Sequence, residues 1–319
     1  MGDSSMRALF VMDPLSTVHV DQDSSYALML EWQKRGGEVW HCLARDLWAE
    51  GEHAFARASR LAVGPRPKVA DVLETREIAL KDMWAIFKRT DPPFDINYIF
   101  CTYLLELAQP EAVVVNAPQG LRDANEKMAI LAFPDLIPPT IVTRDMAAIR
   151  AFIREQGGRG VIKPWDGNGG RGVFVLEEGD GNLGPIIETS TNDGRTFVMV
   201  QSYLEEVQTT GDKRIILVDG EFAGAFARVP GKEDHRGNMH VGASVEPCEM
   251  TTRDLQICEQ LAPYLKKKGL LFTGIDVIGN YLTEINVTSP TGVQECSRLY
   301  GTTIEADIVD AVLAARDSR

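Results

Sequence analysis

Positive charge, histidine, cysteine and long apolar runs are all scarce in this chain, and each shortage removes a class of function. Lysine and arginine total 33 against 46 aspartates and glutamates, a formal net charge of −13. A surface this acidic repels nucleic acid and anionic lipid, so neither is an expected partner. The five cysteines, Cys42, Cys101, Cys248, Cys258 and Cys296, are widely spaced, odd in number and free of any C-x-x-C pair. That pattern argues against a disulfide framework and a zinc site, and for reduced thiols. His235 and His240 fall in one polar stretch while the other histidines scatter through the N-terminal half, which again assembles no zinc site. The apolar run Ala8 to Met12 stops at Asp13, too short for a signal peptide, and nothing approaches the ~20 apolar residues of a membrane helix. A cytoplasmic location is the expectation. Walker A, dinucleotide-binding and G-x-S-x-G signatures are missing, as are internal repeats and low-complexity tracts.

What is present is an ordinary globular composition, 44% hydrophobic over 319 residues, enough for a large core and two or three subdomains. Arg7 to Met12 reads as a buried strand, and Asp23 or Ser24 can cap a helix that Gly36-Gly37 ends. Glu38 to Leu43 follows as a strand, so a parallel βαβ unit is expected. Residues 52–82 suggest a hairpin, Trp84 to Lys88 a strand, 95–108 a helix and Ala112 to Val115 a strand. Beyond Pro118, a helix is expected through Glu126 to Leu131, then one capped by Thr143 and ended by Gly157-Gly158. Strands follow at Val161 to Lys163, Gly172 to Leu176 and Thr196 to Gln201. Asp219-Gly220 between two apolar runs predicts a hairpin of Lys213–Val218 with Phe222–Val229. The polar stretch 230–243 is too long for a tight turn. A helix at 252–268, a hairpin at 270–287 and a helix from about 302 close the chain.

Chemistry concentrates in four places. In Gly274–Ile278 and Leu282–Val287 apolar and polar residues alternate, so Glu284 and Asn286 share a face. Asp276 joins them if it pairs opposite Glu284, which a three-residue loop at Gly279-Asn280-Tyr281 would allow. Two carboxylates and an amide oxygen on a rigid face suit Mg²⁺; the competing reading is a solvated hairpin face. Second, the loop Lys163-Pro164-Trp165-Asp166-Gly167-Asn168-Gly169-Gly170-Arg171-Gly172 lies between strands. Its glycines permit positive φ, letting backbone N–H groups close over phosphate oxygens, with Lys163 beside them. Asp212, Arg214 and Arg228 form a third group, in which arginine offers a planar fork to phosphate. Finally, Arg89-Thr90-Asp91-Pro92-Pro93-Phe94-Asp95 follows a strand end, where α/β domains bind ligands and where Arg89 could hold a carboxylate bidentately. A stiff surface loop is the plainer alternative there.

Together with Val11-Met12-Asp13-Pro14, Asp23-Ser24-Ser25 and Leu121-Arg122-Asp123-Ala124-Asn125-Glu126-Lys127, these blocks occur in this order in bacterial glutathione synthetases, which the chain resembles over almost its whole length. The D-P-P-F-D and T-E-I-N-V-T-S-P blocks carry the resemblance most specifically. It implies mixed α/β and α+β architecture, an ATP-grasp fold behind a Rossmann-like N-terminal domain. The implied division is 1–121, a central unit 122–200 with the glycine loop, and 201–319 with a lid at 230–243. ATP would be the co-substrate, with two Mg²⁺ ions, Mn²⁺ being an alternative. Lys127 and Lys163 would contact ATP from two sides, with Gly167, Asn168, Gly169 and Gly170 over the phosphates. Gln201, Ser202, Tyr203 and Leu204 would meet adenine, and Asp212 would lie near ribose. Arg214, Arg228 and the lid residue Arg236 would face the transferring phosphate. Asp276, Glu284 and Asn286 match the metal ligands, and Arg89, Asn286 and Ser289 match binders of γ-glutamylcysteine, whose partner is glycine. Gly292 stands where some relatives carry cysteine; the activity needs no thiol there. The family also implies a homo-oligomer, often a tetramer. Another ATP-grasp amino-acid ligase, or an ATP-binding regulator without turnover, are the rival readings.

Overall fold

The computed structural model describes residues 6–167, 169–229 and 244–318. Asn168, Arg236 and the stretch 230–243 therefore lie outside the described residues.

The N-terminal sheet grows from the expected βαβ unit. Strand β1 (Arg7–Met12), helix α1 (Ser24–Lys34) and strand β2 (Glu38–Cys42) come first. Asp23 is the cap, its carboxylate accepting from the backbone N–H groups of Ser25 and Tyr26. β3 (Leu47–Glu50) and the long hairpin of β4 (His53–Val63) and β5 (Ala70–Ala79) extend one side; β6 (Ala85–Arg89), α2 (Ile96–Glu106), β7 (Val113–Val115) and α3 (Pro118–Asp123) complete the other. The order is β3-β4-β2-β1-β6-β7, with β5 on β4. β1 runs parallel to β2 and β6, and β6 to β7. Register pairs Met12 with Arg89, so both strands end beside the N-terminus of α1.

The second sheet is antiparallel, in the order β10-β9-β11-β8. Its parts are β8 (Thr140–Thr143), α4 (Met146–Glu155), β9 (Arg159–Pro164), β10 (Phe174–Glu177), α5 (Leu183–Thr191) and β11 (Val198–Ser202). Ile149 and Ile153 of α4 and Ile187 of α5 close its core against Ile162, Leu176 and Val200. Asp145, not Thr143, caps α4: its carboxylate accepts from the N–H groups of Ala147 and Ala148, while Thr143 still belongs to β8 and its hydroxyl accepts from Asp145 N.

The third sheet follows the order β14-β13-β12-β15-β16. It contains β12 (Asp212–Val218), β13 (Glu221–Val229), β14 (Ser244–Glu246), α6 (Thr252–Lys268), β15 (Phe272–Ile278) and β16 (Tyr281–Asn286), followed by α7 (Val293–Tyr300) and α8 (Ile304–Asp317). Ile215, Leu217, Ile275 and Ile285 pack under α6 through Ile257, Leu261 and Leu265. Phe226 and Ile216, from the other face, share a core with α1, α8 and Phe10 of β1.

Three further corrections concern helices and the hairpin loop. The helix foreseen through Glu126–Leu131 is a helix at Pro118–Asp123 followed by a 3-10 turn at Met128–Ala132. Asp276 does pair with Glu284, but the loop has two residues, Gly279 and Asn280, and a bulge between Asp276 and Val277 takes up the extra residue. Helices α5 and α7 were not foreseen. Pro185 resembles a breaker but sits in a first turn, where it costs no hydrogen bond. α7 begins at Gly292, at φ 117, with no capping side chain to announce it.

Candidate active site

A cleft of about 650 Å³ opens between the second and third sheets. Cross-strand register builds its third-sheet wall. Asp212 lies opposite Arg228, Arg214 opposite Asp276, and Asp276 opposite Glu284. Asn286 is opposite Gly274, whose missing side chain leaves room for Arg214: a Cβ there would sit 3.2 to 3.5 Å from its side-chain atoms. Arg214 Nε donates to Asp276 Oδ1 at 2.6 Å and Nη2 to Oδ2 at 3.2 Å, while Asn286 Nδ2 donates to Oδ2 at 3.1 Å. Arg228 pairs with both Asp212 and Asp276. The solvated-face reading fails here, because Asp276 is 4% exposed.

The opposite wall comes from β9, β11 and the glycine loop. Lys163 Nζ donates to Gln201 Oε1 at 2.8 Å, and Gln201 Nε2 to Thr140 Oγ1 at 3.1 Å. Gly169, Gly170 and Gly172 hold φ values of 59°, 75° and 71°, which side chains rarely adopt. Lys127 spans both walls, donating to the Gly167 carbonyl at 2.6 Å and lying 2.9 Å from Glu284 Oε1. Gln201, Ser202, Tyr203 and Leu204 line the same cleft with Pro138, Val161, Phe174 and Ile278, an apolar-edged slot of the kind that takes a planar ring.

The electrostatics are finely opposed. Burial pushes the Asp212 carboxyl up to about 6, against Arg228 and helped by Asp276. Burial also acts on Asp276, but Arg214 and Arg228 outweigh it and hold that carboxyl well below the usual range. Lys163 is lowered by burial despite Glu284. Lys127 resists burial and is raised by Glu284, Glu126 and Asp166. Among the described lining residues, Lys127, Lys163, Arg214 and Arg228 face Glu126, Asp212, Asp276 and Glu284. The formal charges cancel, so the described walls alone do not neutralise a nucleoside triphosphate. Oxygen donors at Asp276, Glu284 and Asn286 beside such phosphates fit Mg²⁺, which needs only one or two carboxylates when phosphates supply other ligands.

Arg89 and Ser289 do not line this cleft. They lie beyond its end, where β16 runs out toward the N-terminal sheet. Ser289 Oγ donates to the Arg89 carbonyl at 3.4 Å, and Arg89 Nη2 to the Pro290 carbonyl at 2.8 Å. Glu126 belongs to the Leu121–Lys127 block, and its pattern there predicts no role. It is buried, its carboxyl raised by desolvation and by Glu284, and it accepts from Val287 N, Thr288 N and Thr288 Oγ1. It anchors the segment joining Asn286 to Ser289. Only its place before Lys127 hinted at this.

Known proteins match this arrangement closely. Residues 6–122 fit the prokaryotic glutathione synthetase N-terminal domain, and residues 126–301 the prokaryotic glutathione synthetase ATP-grasp domain. A glutathione synthetase of Vibrio cholerae is 45% identical over 305 residues, spanning 95% of each chain. One from Brucella melitensis is 44% identical over 315 residues, spanning 98% of this chain and 100% of its own. Among solved structures, D-cycloserine synthetase DcsG superposes with a TM-score of 0.70 at 14% identity, covering 97% of this chain and 99% of its own. The ATP-grasp ligase PsnB gives 0.63 at 18%, over 98% and 99%. Those two likenesses establish the shared fold, and the family models with the near-full-length identities establish more: the chain belongs to the prokaryotic glutathione synthetases.

Proposed function

We infer that this chain joins γ-glutamylcysteine to glycine with ATP, through an acyl phosphate, releasing glutathione, ADP and phosphate. The observation that carries the reading is one cleft in which the Asp276–Glu284–Asn286 face meets Lys127, Lys163 and the glycine loop. Adenine would lie along Gln201–Leu204, with ribose toward Asp212 and the phosphates between Lys163 and the glycine loop. Asp276, Glu284 and Asn286 would hold Mg²⁺, which when bound neutralises charge on the transferring phosphate. Arg214 and Arg228 are braced by paired carboxylates and so oriented before the substrate arrives; they stabilise charge that develops on the phosphoryl oxygens as the cysteinyl carboxylate attacks. Arg89, Asn286 and Ser289 would hold the dipeptide, so that its carboxylate is presented to the γ-phosphoryl group and glycine's amine then meets the activated acyl carbon. The lid role of 230–243 and of Arg236 is carried by the family resemblance alone. So are the homotetramer, the three-unit division of the chain and the cytoplasmic setting.

Purified protein given ATP, Mg²⁺, γ-glutamylcysteine and glycine should release ADP only when both amino substrates are present. ADP release indifferent to glycine, or none at all, overturns this reading.

A further inference from the structure

Strand β16 ends at Asn286, and the residues that follow it pair with no strand. Since Gly274 faces Asn286, the same register continued would set Thr273 against Val287 and Phe272 against Thr288. A side chain from the N-terminal sheet takes that place instead. Asn116 directly follows β7 and is buried. Its Oδ1 accepts from Phe272 N at 2.8 Å. Its Nδ2 donates to the Phe272 carbonyl at 2.7 Å and to the Val287 carbonyl at 2.8 Å, so both amide hydrogens are directed at backbone.

The N–H groups of the same stretch are held from elsewhere. Glu126 Oε1 accepts from Val287 N and Thr288 N, both at 2.9 Å, and from Thr288 Oγ1 at 2.8 Å. The Glu126 carbonyl also accepts from Ile285 N at 3.0 Å. Val287 and Thr288 are buried, where an unpaired backbone group is costly, so these two side chains stand in for a missing strand. What they hold lies between two working groups. Before it, Asn286 Nδ2 donates to Asp276 Oδ2 at 3.1 Å, which leaves its Oδ1 as the open acceptor among the described residues. After it, Ser289 Oγ donates to the Arg89 carbonyl at 3.4 Å.

We propose that Asn116 and Glu126 are positioning residues: by gripping Val287 and Thr288 they set Asn286 toward the metal and Ser289 toward the dipeptide in a single arrangement. This rests on the function proposed above. Asn116 does not line the nucleotide cleft, so it acts only through the backbone it holds. Its place after β7 makes the N-terminal sheet a determinant of a metal ligand on the third sheet. A shift of the held stretch moves Asn286 and Ser289 together. The requirements for Mg²⁺ and for γ-glutamylcysteine are therefore coupled.

Glu126→Ala should raise both the Mg²⁺ concentration for half-maximal rate and the KM for γ-glutamylcysteine, each by ~10-fold or more, as for other groups that orient a metal ligand. The gain in ADP affinity on adding Mg²⁺, read by calorimetry without turnover, should fall in step. Glu126→Gln loses the same charge but keeps an oxygen for the three donors, and should recover most of these values. Asn116→Ala should move them the same way from outside the cleft. Should Glu126→Ala fail to fold, Thr288→Val removes one hydrogen bond at nearly constant volume and should still shift both requirements by ~3-fold. Unchanged values in a folded variant, a shift in only one of the two requirements, or no recovery in Glu126→Gln overturns the proposal. If wild-type protein gains ADP affinity with Mg²⁺ yet turns over no γ-glutamylcysteine, the function proposed above falls, and the calorimetric comparison alone decides whether the grip stands.

Discussion

Glu284 lies 2.9 Å from Lys127 Nζ and shares a strand face with Asn286, opposite Asp276. Replacing its carboxylate therefore weakens both the proposed metal site and the brace on Lys127. Glu284→Gln should lose ~100-fold or more in kcat, and its Mg²⁺ requirement should rise. The melting temperature should stay within a few degrees, because Lys127 keeps the Gly167 carbonyl. A variant with wild-type rates at limiting Mg²⁺ would remove Glu284 from the metal site. Lys88 offers a separate test in pH. It is 1% exposed, donates to Thr90 Oγ1 and lies 3.6 Å over the Tyr98 ring. Burial lowers it to about 8, partly opposed by Cys101, Asp13 and Asp91. The folded chain releases this proton near 8 and the unfolded chain near 10.5. Between those values the unfolded state holds more protons, so stability rises with pH. This rise amounts to at most ~3 kcal/mol. Lys88→Met should lack it: urea midpoints of the two proteins, compared from pH 7 to 10, should shift relative to each other in favour of wild type as pH rises. A constant difference would show that Lys88 does not titrate as stated.

Among the elements, the β15–β16 hairpin and the contact of α3 with the end of α6 decide the most. The bulge after Asp276 restores the pairing of Asp276 with Glu284 that a plain two-residue hairpin would put out of register. Alternation along the strands announced the shared face of Glu284 and Asn286, but the means of aligning Asp276 was not legible, since a longer loop would serve equally. At the other contact, a Cβ on Gly120 would lie 2.2 Å from the Lys268 carbonyl, and Ala117 N donates to the Gly269 carbonyl at 3.0 Å. The N-terminal sheet is thus joined through backbone to the helix that covers the third sheet. Gly120→Ala must push these apart and should cost ~1–3 kcal/mol, read as a fall of several degrees in melting temperature. An unchanged melting temperature would mean the contact yields freely.

For the whole molecule, the described cleft walls balance cation against anion, so nucleotide binding should depend on divalent metal. ATP with Mg²⁺ at ~100 times its dissociation constant should stabilise the fold by ~2.7 kcal/mol, seen as a raised melting temperature. Excess EDTA should remove most of that shift together with ADP release. An equal shift in EDTA would show that the protein's own cations suffice, contrary to the charge balance.

Local pattern by itself determined the strand–helix–strand start, the Asp219-Gly220 hairpin, the helix at 252–268 and the shared face of Glu284 and Asn286, because period and turn chemistry are written in neighbouring residues. The motif blocks were enough to indicate the family. Only the tertiary structure decided that Arg214 and Arg228 brace Asp276 instead of standing free, that Lys127 bridges two walls, and that Arg89 meets Pro290 from 201 residues away. The reason is physical: whether a charge is solvated, paired or held in reserve depends on burial and on distant neighbours, and strand order and domain packing set both.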